Sequence, residues 1–419
     1  MGNSRQILMQ YRKLFFAAIL LIFSAQFAAS QNNTNSPYTR FGYGDITEST
    51  ATELRGMGGV SIANRSLNTI NSVNPASYSS VDSLTFMFDL GASARFSRFS
   101  DKNNASSTFN GNLDYLTVRF PVTKWLGFSA GMQPFSLVGY NFSQKGSLSI
   151  PETNKKIGYQ QGFNGSGGIS QVYAGLSVNL LNHVSLGANA YYIFGDANHY
   201  AIQSFDNTNG FNPSYYNKRI KVNDFKLRYG VQVYNTFADK HNVTLGLIYE
   251  NKNRLNGEFT ATLNNDTINN ISGFELPGTF GAGITYTYNK KLTVGFDYVQ
   301  QGWNDALFFG KTDTLVNTSK YAVGLEYIPN PTSLKYSDLI RYRVGFSTSN
   351  QYYKVDNVLQ PRNFIVSAGI GFPTRTGKSI LNFALEYGKI GSVNRLREDY
   401  LKLTFSTSIN EFWFFKPKL

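Results

Sequence analysis

The chain has 419 residues, a formal net charge of +13 at pH 7 and no cysteine. Without cysteine it has no disulfide, catalytic thiol or lipidated N-terminal Cys. Its three histidines, His183, His199 and His241, are too widely spaced for a short metal-binding motif, so the sequence predicts no metal and no cofactor. The basic residues are spread along the chain. They favour attraction to anionic lipid head groups and sugars, such as those of lipopolysaccharide, and argue against nucleic-acid binding.

The N-terminus has the pattern of a secretory signal peptide. Arg5, Arg12 and Lys13 precede an apolar run at 14–23, and the small residues Ala28 and Ser30 follow it. An apolar run of this length is too short to cross a bilayer comfortably as a helix. We therefore expect residues 1–30 to be removed during export.

Two regions follow the predicted signal peptide. Residues 31–82 are rich in Asn, Ser, Thr and Gly and alternate little between apolar and polar residues. From residue 83 to the end, apolar and polar residues alternate with a period of two, as in 291–298. This region contains fourteen predicted strands, at the ranges 83–99, 111–121, 125–142, 167–180, 183–198, 219–237, 241–252, 274–288, 291–303, 317–328, 338–349, 362–373, 379–390 and 399–411.

Such alternation over fourteen strands predicts an all-β, antiparallel transmembrane β-barrel with one face toward lipid and one toward a polar lumen. Short turns alternate with long polar loops near 143–166, 199–218 and 253–273, as expected for periplasmic turns and external loops of an outer-membrane barrel. A soluble sandwich would alternate too, but has less reason for this loop asymmetry. The 27 Tyr and 34 Phe fit interfacial aromatic girdles.

The predicted inner face carries charges of both signs and many glycines. Lys or Arg facing lipid near the midplane would cost about 2–4 kcal/mol each, so the charged strand residues must point inward. They are Asp89, Arg95, Arg119, Lys226, Arg228, Glu250, Asp297, Glu326, Arg341, Arg343, Glu386 and Lys402. An inward Gly either admits another backbone or eases sheet curvature. Fourteen strands enclose more space than their own side chains fill, so residues 31–82 are predicted to be an N-terminal hatch that plugs the lumen.

Two motifs lie in the predicted hatch: Arg55-Gly56-Met57-Gly58-Gly59 and Asn74-Pro75-Ala76. Together with the stretches 276–286 and 340–346 and the ending at 413–416, they resemble the FadL-type outer-membrane transporters of long-chain fatty acids and hydrocarbons, in their bacteroidete branch. That resemblance implies a monomeric barrel with an N-terminal hatch. It also implies passive uptake of hydrophobic compounds, with lateral release through the wall at an inward kink of the third strand.

Pro134 lies within the third predicted strand, and proline removes a hydrogen-bond donor from a sheet. We therefore predict a lateral opening near Gly131, Pro134 and Phe135. The alternative is a bulge in a closed wall.

Candidate substrate contacts are four apolar residues at the external rim, which could equally belong to an aromatic girdle: Trp303, Leu307, Phe308 and Phe309. Two other functions are open: a partner-docking barrel of a protein secretion system, in which the loops would be functional, and a general polar porin, which the hatch disfavours. The sequence has no Gly-x-Ser-x-Gly motif beside His199, and we expect no enzymatic activity.

Overall fold

The computed structural model describes residues 33–82, 85–149, 156–206, 212–270, 273–312, 315–355, 357–374 and 379–412. The predicted signal peptide and the chain ending at 413–416 lie outside these residues. Among the described residues, no helix is both long enough and apolar enough to span a membrane.

Fourteen antiparallel strands form one closed barrel, as predicted, and the last strand pairs with the first. Strands are numbered in chain order. The barrel strands are β2 (Thr85–Ser100), β3 (Ala105–Pro121), β4 (Leu126–Ser149), β5 (Lys156–Leu180), β6 (Val184–Phe205), β7 (Ser214–Phe237), β8 (His241–Glu250), β13 (Thr279–Tyr288), β14 (Leu292–Gln301), β15 (Thr318–Tyr327), β16 (Arg341–Ser349), β19 (Asn363–Pro373), β20 (Ile380–Ser392) and β21 (Leu396–Phe412).

The remaining elements are short and lie in the N-terminal segment or in the connections. The strands are β1 (Asp45–Ile46), β9 (Asn253–Arg254), β10 (Gly257–Leu263), β11 (Asp266–Asn270), β12 (Glu275–Leu276), β17 (Lys354–Val355) and β18 (Val358–Leu359). One α-helical turn, α1, spans Thr52–Arg55, and 3₁₀ helices span Pro37–Arg40, Pro75–Ser80, Trp303–Asp305 and Tyr336–Leu339.

The two faces of the wall are those that the period of two predicts. Outward residues such as Leu247 and Leu403 are nearly half exposed, whereas none of the twelve predicted inward charges is exposed. The pairing of the last strand with the first closes the sheet, as a sheet that spans a membrane requires. This is the architecture of outer-membrane proteins, and the chain is an outer-membrane β-barrel.

The short turns at 181–182 and 289–290 are tight hairpins, as the sequence predicts. Leu181 and Asn182 both have positive φ, as do Asn289 and Lys290. Two consecutive positive φ values are those of a type I′ turn, whose twist matches that of the flanking strands.

The predicted long polar loops at 143–166, 199–218 and 253–273 consist largely of strands, because β4 to β7 extend into the first two and β9 to β11 lie in the third. β4, β5, β6 and β7 have 22 to 25 residues each and continue well beyond the ten residues of β8. The upper half of β7 pairs with β10, and β11 pairs with β10. Outside the membrane neither face of a strand has to be apolar, so these Asn- and Tyr-rich strands lack the pattern that marks the wall.

Candidate functional site

Residues 33–82, here called the N-terminal segment, lie within the barrel. Val60, Ala63, Ala76 and Tyr78 have no exposed surface, although α1 is a single turn and the segment has almost no sheet of its own. The segment is therefore held by contacts with the inner wall.

Glycines of the wall allow the segment to approach closely. A Cβ on Gly345 would lie 2.0 Å from the amide nitrogen of Gly58, and one on Gly324 would lie 2.2 Å from the carbonyl oxygen of Met57. Neither backbone atom could be accommodated at such a distance. At Gly324 and Gly345, the interpretation that an inward glycine admits the backbone of another segment is confirmed.

The first motif, Arg55 to Gly59, forms a tight turn that is hydrogen-bonded to the wall. Gly58 and Gly59 have φ values of +70° and +86°, which favour glycine. Ser367 Oγ accepts a hydrogen bond from the Gly58 amide at 2.9 Å and donates one to the Gly56 carbonyl at 3.2 Å. Arg55 lies 3.8 Å from Asp114 and 3.7 Å from Glu386, two carboxylates of the wall.

Asp297 of β14 binds the end of this turn. Its Oδ2 accepts hydrogen bonds from the amides of Ser61 at 2.6 Å and Ile62 at 2.9 Å. Its Oδ1 is buried and has no hydrogen-bond partner among the described residues. One inward carboxylate thus satisfies two adjacent backbone donors that no strand supplies with a partner.

The second motif, Asn74-Pro75-Ala76, begins a 3₁₀ helix. The Asn74 side chain accepts a hydrogen bond from the Ala76 amide and donates one to the Ile62 carbonyl at 2.7 Å. Ser177 of β5 donates to the Ala76 carbonyl at 2.8 Å. The motif thereby connects two parts of the segment to each other and to the wall.

The wall is interrupted between β3 and β4. Their pairing covers Leu116–Pro121 of β3 and ends at the pair Leu116–Met132, although both strands continue upward from there. Just above this pair, the β4–β5 register shifts between Pro134 and Ser136, so that Phe135 forms a bulge. The predicted residues Gly131, Pro134 and Phe135 therefore flank the point where the two strands separate.

The N-terminal segment crosses this interruption on the inside. β1 pairs with Ser136 and Leu137 of β4. The Thr47 amide donates a hydrogen bond to the Phe135 carbonyl at 3.0 Å. Farther along, the Thr52 amide donates to the Tyr115 hydroxyl of β3 at 3.0 Å. The stretch from β1 to Thr52 thus contacts both β3 and β4 beyond the point where these two strands stop pairing with each other.

The four predicted substrate contacts lie in an aromatic cluster at the external end, here called the external cap (253–256, 273–276, 303–312 and 352–355). Trp303 and Phe308 are buried, at 1% and 4% exposure, and Leu307 and Phe309 are partly buried. Tyr43 of the N-terminal segment lies among them, 5.9 Å from Trp303 and 5.1 Å from Phe308 between ring centroids. No pattern in the sequence indicated this role for Tyr43.

Between the segment, the wall and the external cap lies a cavity of about 380 Å³. Its lining includes Pro134, Phe135 and Leu137, so it reaches the interruption in the wall. The other lining side chains include six basic and seven acidic ones: Arg55, Arg95, Lys226, Arg228, Lys320 and Lys402, with Asp45, Glu48, Asp114, Glu250, Asp297, Glu386 and Glu398. The cavity therefore has charged and apolar side chains in its lining, and its formal charge is close to neutral.

Each of the six bases has an acidic partner in the cavity. Arg95 contacts Glu398 at 2.7 Å and Asp45 at 3.2 Å, and Lys402 contacts Asp114 at 3.1 Å. The remaining pairs are Arg55–Glu386, Lys226–Glu250, Arg228–Glu250 and Lys320–Glu48. In the part of the chain that the structure describes, no group of three or more His, Asp or Glu is placed to hold a metal ion.

The closed fourteen-stranded barrel places the chain in a structural class, the FadL-like barrels. The fold matches the Ralstonia pickettii toluene transporter TbuX (TM-score 0.56, 14% identity, 85% of this chain and 97% of that one). It also matches a Pseudomonas aeruginosa FadL homologue (0.56, 14%, 88% and 99%) and the Pseudomonas putida toluene transporter TodX (0.56, 16%, 91% and 100%). The predicted FadL-type resemblance is confirmed for the fold.

The family itself is given by a sequence model. The model described as BamG matches residues 11–419, and the chain belongs to the BamG family. No curated protein matches the chain.

Proposed function

We propose that the protein is a monomeric outer-membrane channel for the passive uptake of hydrophobic compounds, such as long-chain fatty acids and aromatic hydrocarbons. The N-terminal segment acts as its hatch, and the substrate leaves sideways between β3 and β4. The observation that carries this proposal is the end of the β3–β4 pairing at Leu116 and Met132. The solved structures of the same fold include proteins described as toluene transporters.

The depth of the interruption suits release into lipid. Six paired residues separate it from the periplasmic turn, which is about 20 Å along a strand. With a tilt of roughly 40° this corresponds to about 15 Å of height, within the ~25 Å apolar band of an outer-membrane barrel. Each methylene that moves from a polar lumen into hydrocarbon gains about 0.8 kcal/mol, so lateral exit is favoured over exit into the periplasm.

Lateral release requires the N-terminal segment to move. β1 and Thr47 occupy the free edge of β4, and Thr52 is bonded to Tyr115 of β3. A substrate can pass only when this stretch separates from one of the two strands.

A cysteine pair tests this requirement, because the natural chain has no cysteine to interfere. Ile46 and Ser136 are opposite each other in the β1–β4 register, and opposite residues of antiparallel strands have a Cα separation that a disulfide can span. We expect oxidised I46C/S136C to lose uptake of labelled fatty acid and toluene, and dithiothreitol to restore it.

Val118 and Ala130, an opposite pair below the interruption, provide the matched control. Oxidised V118C/A130C should transport as well as its reduced form, because those strands stay paired. Full uptake by the oxidised I46C/S136C protein, with the disulfide verified by mass spectrometry, would refute lateral release past β1.

A second function, docking of a protein partner, is favoured by the external sheet. β10 and β11 extend the sheet of β4 to β7 beyond the wall, and this external sheet offers a surface to which a partner protein can bind. Deleting residues 257–270 should then abolish cross-linking to a secreted protein and leave hydrocarbon uptake intact. Normal secretion and normal cross-linking in a strain whose protein lacks residues 257–270 would exclude this function.

A further inference from the structure

The chemistry of the cavity suggests a narrower substrate class than hydrocarbons. The lumen beside the interruption is lined by thirteen charged side chains together with apolar ones such as Leu137 and Ile248, whereas an entirely hydrophobic ligand requires a lining with only a few polar groups. Transfer of a hydrocarbon into this space would remove water from charged groups and return no hydrogen bonds. The charged side chains of the cavity and the apolar exit therefore suit two different parts of one ligand.

The charge balance restricts the polar part. All six bases already have acidic partners, and seven acids line the same space. A lone carboxylate or phosphate would meet no uncompensated base. A head group with one positive and one negative charge can contact both members of an ion pair and leaves the net charge of the cavity unchanged.

Unsatisfied buried groups indicate that the cavity is built to hold polar atoms. Gln171 Oε1, Thr279 Oγ1 and Asp297 Oδ1 each lack a hydrogen-bond partner among the described residues, and all three residues line the cavity. Gln171, Thr279 and Asp297 are 2%, 4% and 3% exposed, respectively. Groups buried to this extent are normally hydrogen-bonded, so the structure leaves acceptors and a hydroxyl available for a ligand or for water.

We propose that the cavity receives the zwitterionic head group of a membrane amphiphile while its acyl chain passes outward between β3 and β4, beside Phe135. A volume of about 380 Å³ lies in the range of small-molecule sites and is sufficient for a phosphoethanolamine- or phosphocholine-sized head. This inference rests on the proposed lateral route and names the substrate class for it.

Trp303 provides a local reporter, because it lines the cavity and is 1% exposed. The full-length protein with W125F and W413F retains it as the single tryptophan of three. In nanodiscs, we expect phosphatidylcholine with a nitroxide on its head group to quench Trp303 at least threefold more than the same lipid with the nitroxide at the end of its acyl chain. Equal or weaker quenching by the head-labelled lipid would overturn the proposal.

Two substitutions on one strand separate the cavity from the lipid around the barrel. Ile365 lines the cavity, whereas its neighbour Val366 is 51% exposed on the outer face. I365Y should reduce the head-group quenching at least threefold, and V366Y should leave it unchanged. Equal quenching in both variants would mean that the nitroxide reaches Trp303 from the membrane surface, and the proposal would fail.

A charge series and the cysteine lock distinguish this proposal from the proposed channel function. A fatty acid with its nitroxide beside the carboxylate should quench less than the zwitterionic lipid. If the fatty acid quenches more, or if the lipid does not quench while reduced I46C/S136C still takes up toluene, the head-group inference is wrong and the channel stands. If the oxidised lock leaves all uptake unchanged, the lateral channel itself fails.

Discussion

Asp297 should determine how firmly the N-terminal segment is held. Replacement by alanine removes the acceptor for the Ser61 and Ile62 amides, both of which are buried. A hydrogen bond to a charged group contributes about 1.5–3 kcal/mol, so the two together set an upper limit of roughly 3–6 kcal/mol. Asp297 also lines the cavity beside other charged side chains, where water can replace part of that loss. We therefore expect D297A to destabilise the docked segment by about 2 kcal/mol.

Hydrogen–deuterium exchange of residues 56–72 measures this loss directly. A change of about 2 kcal/mol corresponds to roughly 30-fold faster exchange through local opening. Exchange in the wall strands should be unchanged. D297N, which keeps one acceptor oxygen, should lie between the wild type and D297A.

Thr293 is the matched control, because it lies on the same strand and its side chain bonds to Thr287 rather than to the segment. T293A should exchange like the wild type at residues 56–72. If D297A does so as well, the hydrogen bonds of Asp297 do not hold the segment, and the reasoning from buried donors is refuted.

Two further predictions concern other contacts of the segment and the external cap. G345A would place a Cβ 2.0 Å from the Gly58 nitrogen and should also accelerate exchange at residues 56–72, whereas G111A, with its nearest atom at 4.0 Å, should not; equal behaviour of the two variants would contradict the close-approach argument. Burial alone would raise the pKa of Glu275, but hydrogen bonds from Lys252 Nζ at 2.8 Å and the Leu307 amide lower it. A carboxylate with a lowered pKa stabilises the folded state above its unfolded pKa and loses that effect as the pH falls. The Leu307 amide should therefore become less protected from hydrogen exchange between about pH 6 and about pH 3, and E275Q should remove this pH dependence. The same loss of protection in E275Q would assign the pH dependence to another group.

The wall could be predicted because lipid imposes a rule on each of its residues. Leu247 and Leu403 face lipid and must be apolar, whereas Asp297 and Lys402 face the lumen and must be polar. This alternation is visible in a single sequence. β10 and the upper parts of β4 to β7 lie outside that constraint, and their pairing depends on neighbours that are distant in sequence. The BamG family likewise did not follow from the residues that suggested FadL-type transport.

At the site, the hatch motifs were identifiable because their glycines and Asn74 have conformational reasons to be there. Their partners were not. Ser367 contacts Gly58 across more than three hundred residues, and Tyr352 donates a hydrogen bond to the Gly44 carbonyl over a similar separation. Pro134 indicated an irregular strand, but one proline does not distinguish a bulge from the loss of a partner strand. That distinction required the register of β3 against β4.

The path of the N-terminal segment connects the two proposed functions physically. Tyr43 is packed into the external cap, and its hydroxyl donates to the Glu275 carbonyl at 3.0 Å. Only three residues lie between Tyr43 and Thr47, which is bonded to β4 at the interruption. Since an extended chain spans at most about 3.5 Å per residue, these two points are separated by no more than ~14 Å of chain. A change in the external cap that displaces Tyr43 by more than the remaining slack must therefore also displace β1 from β4.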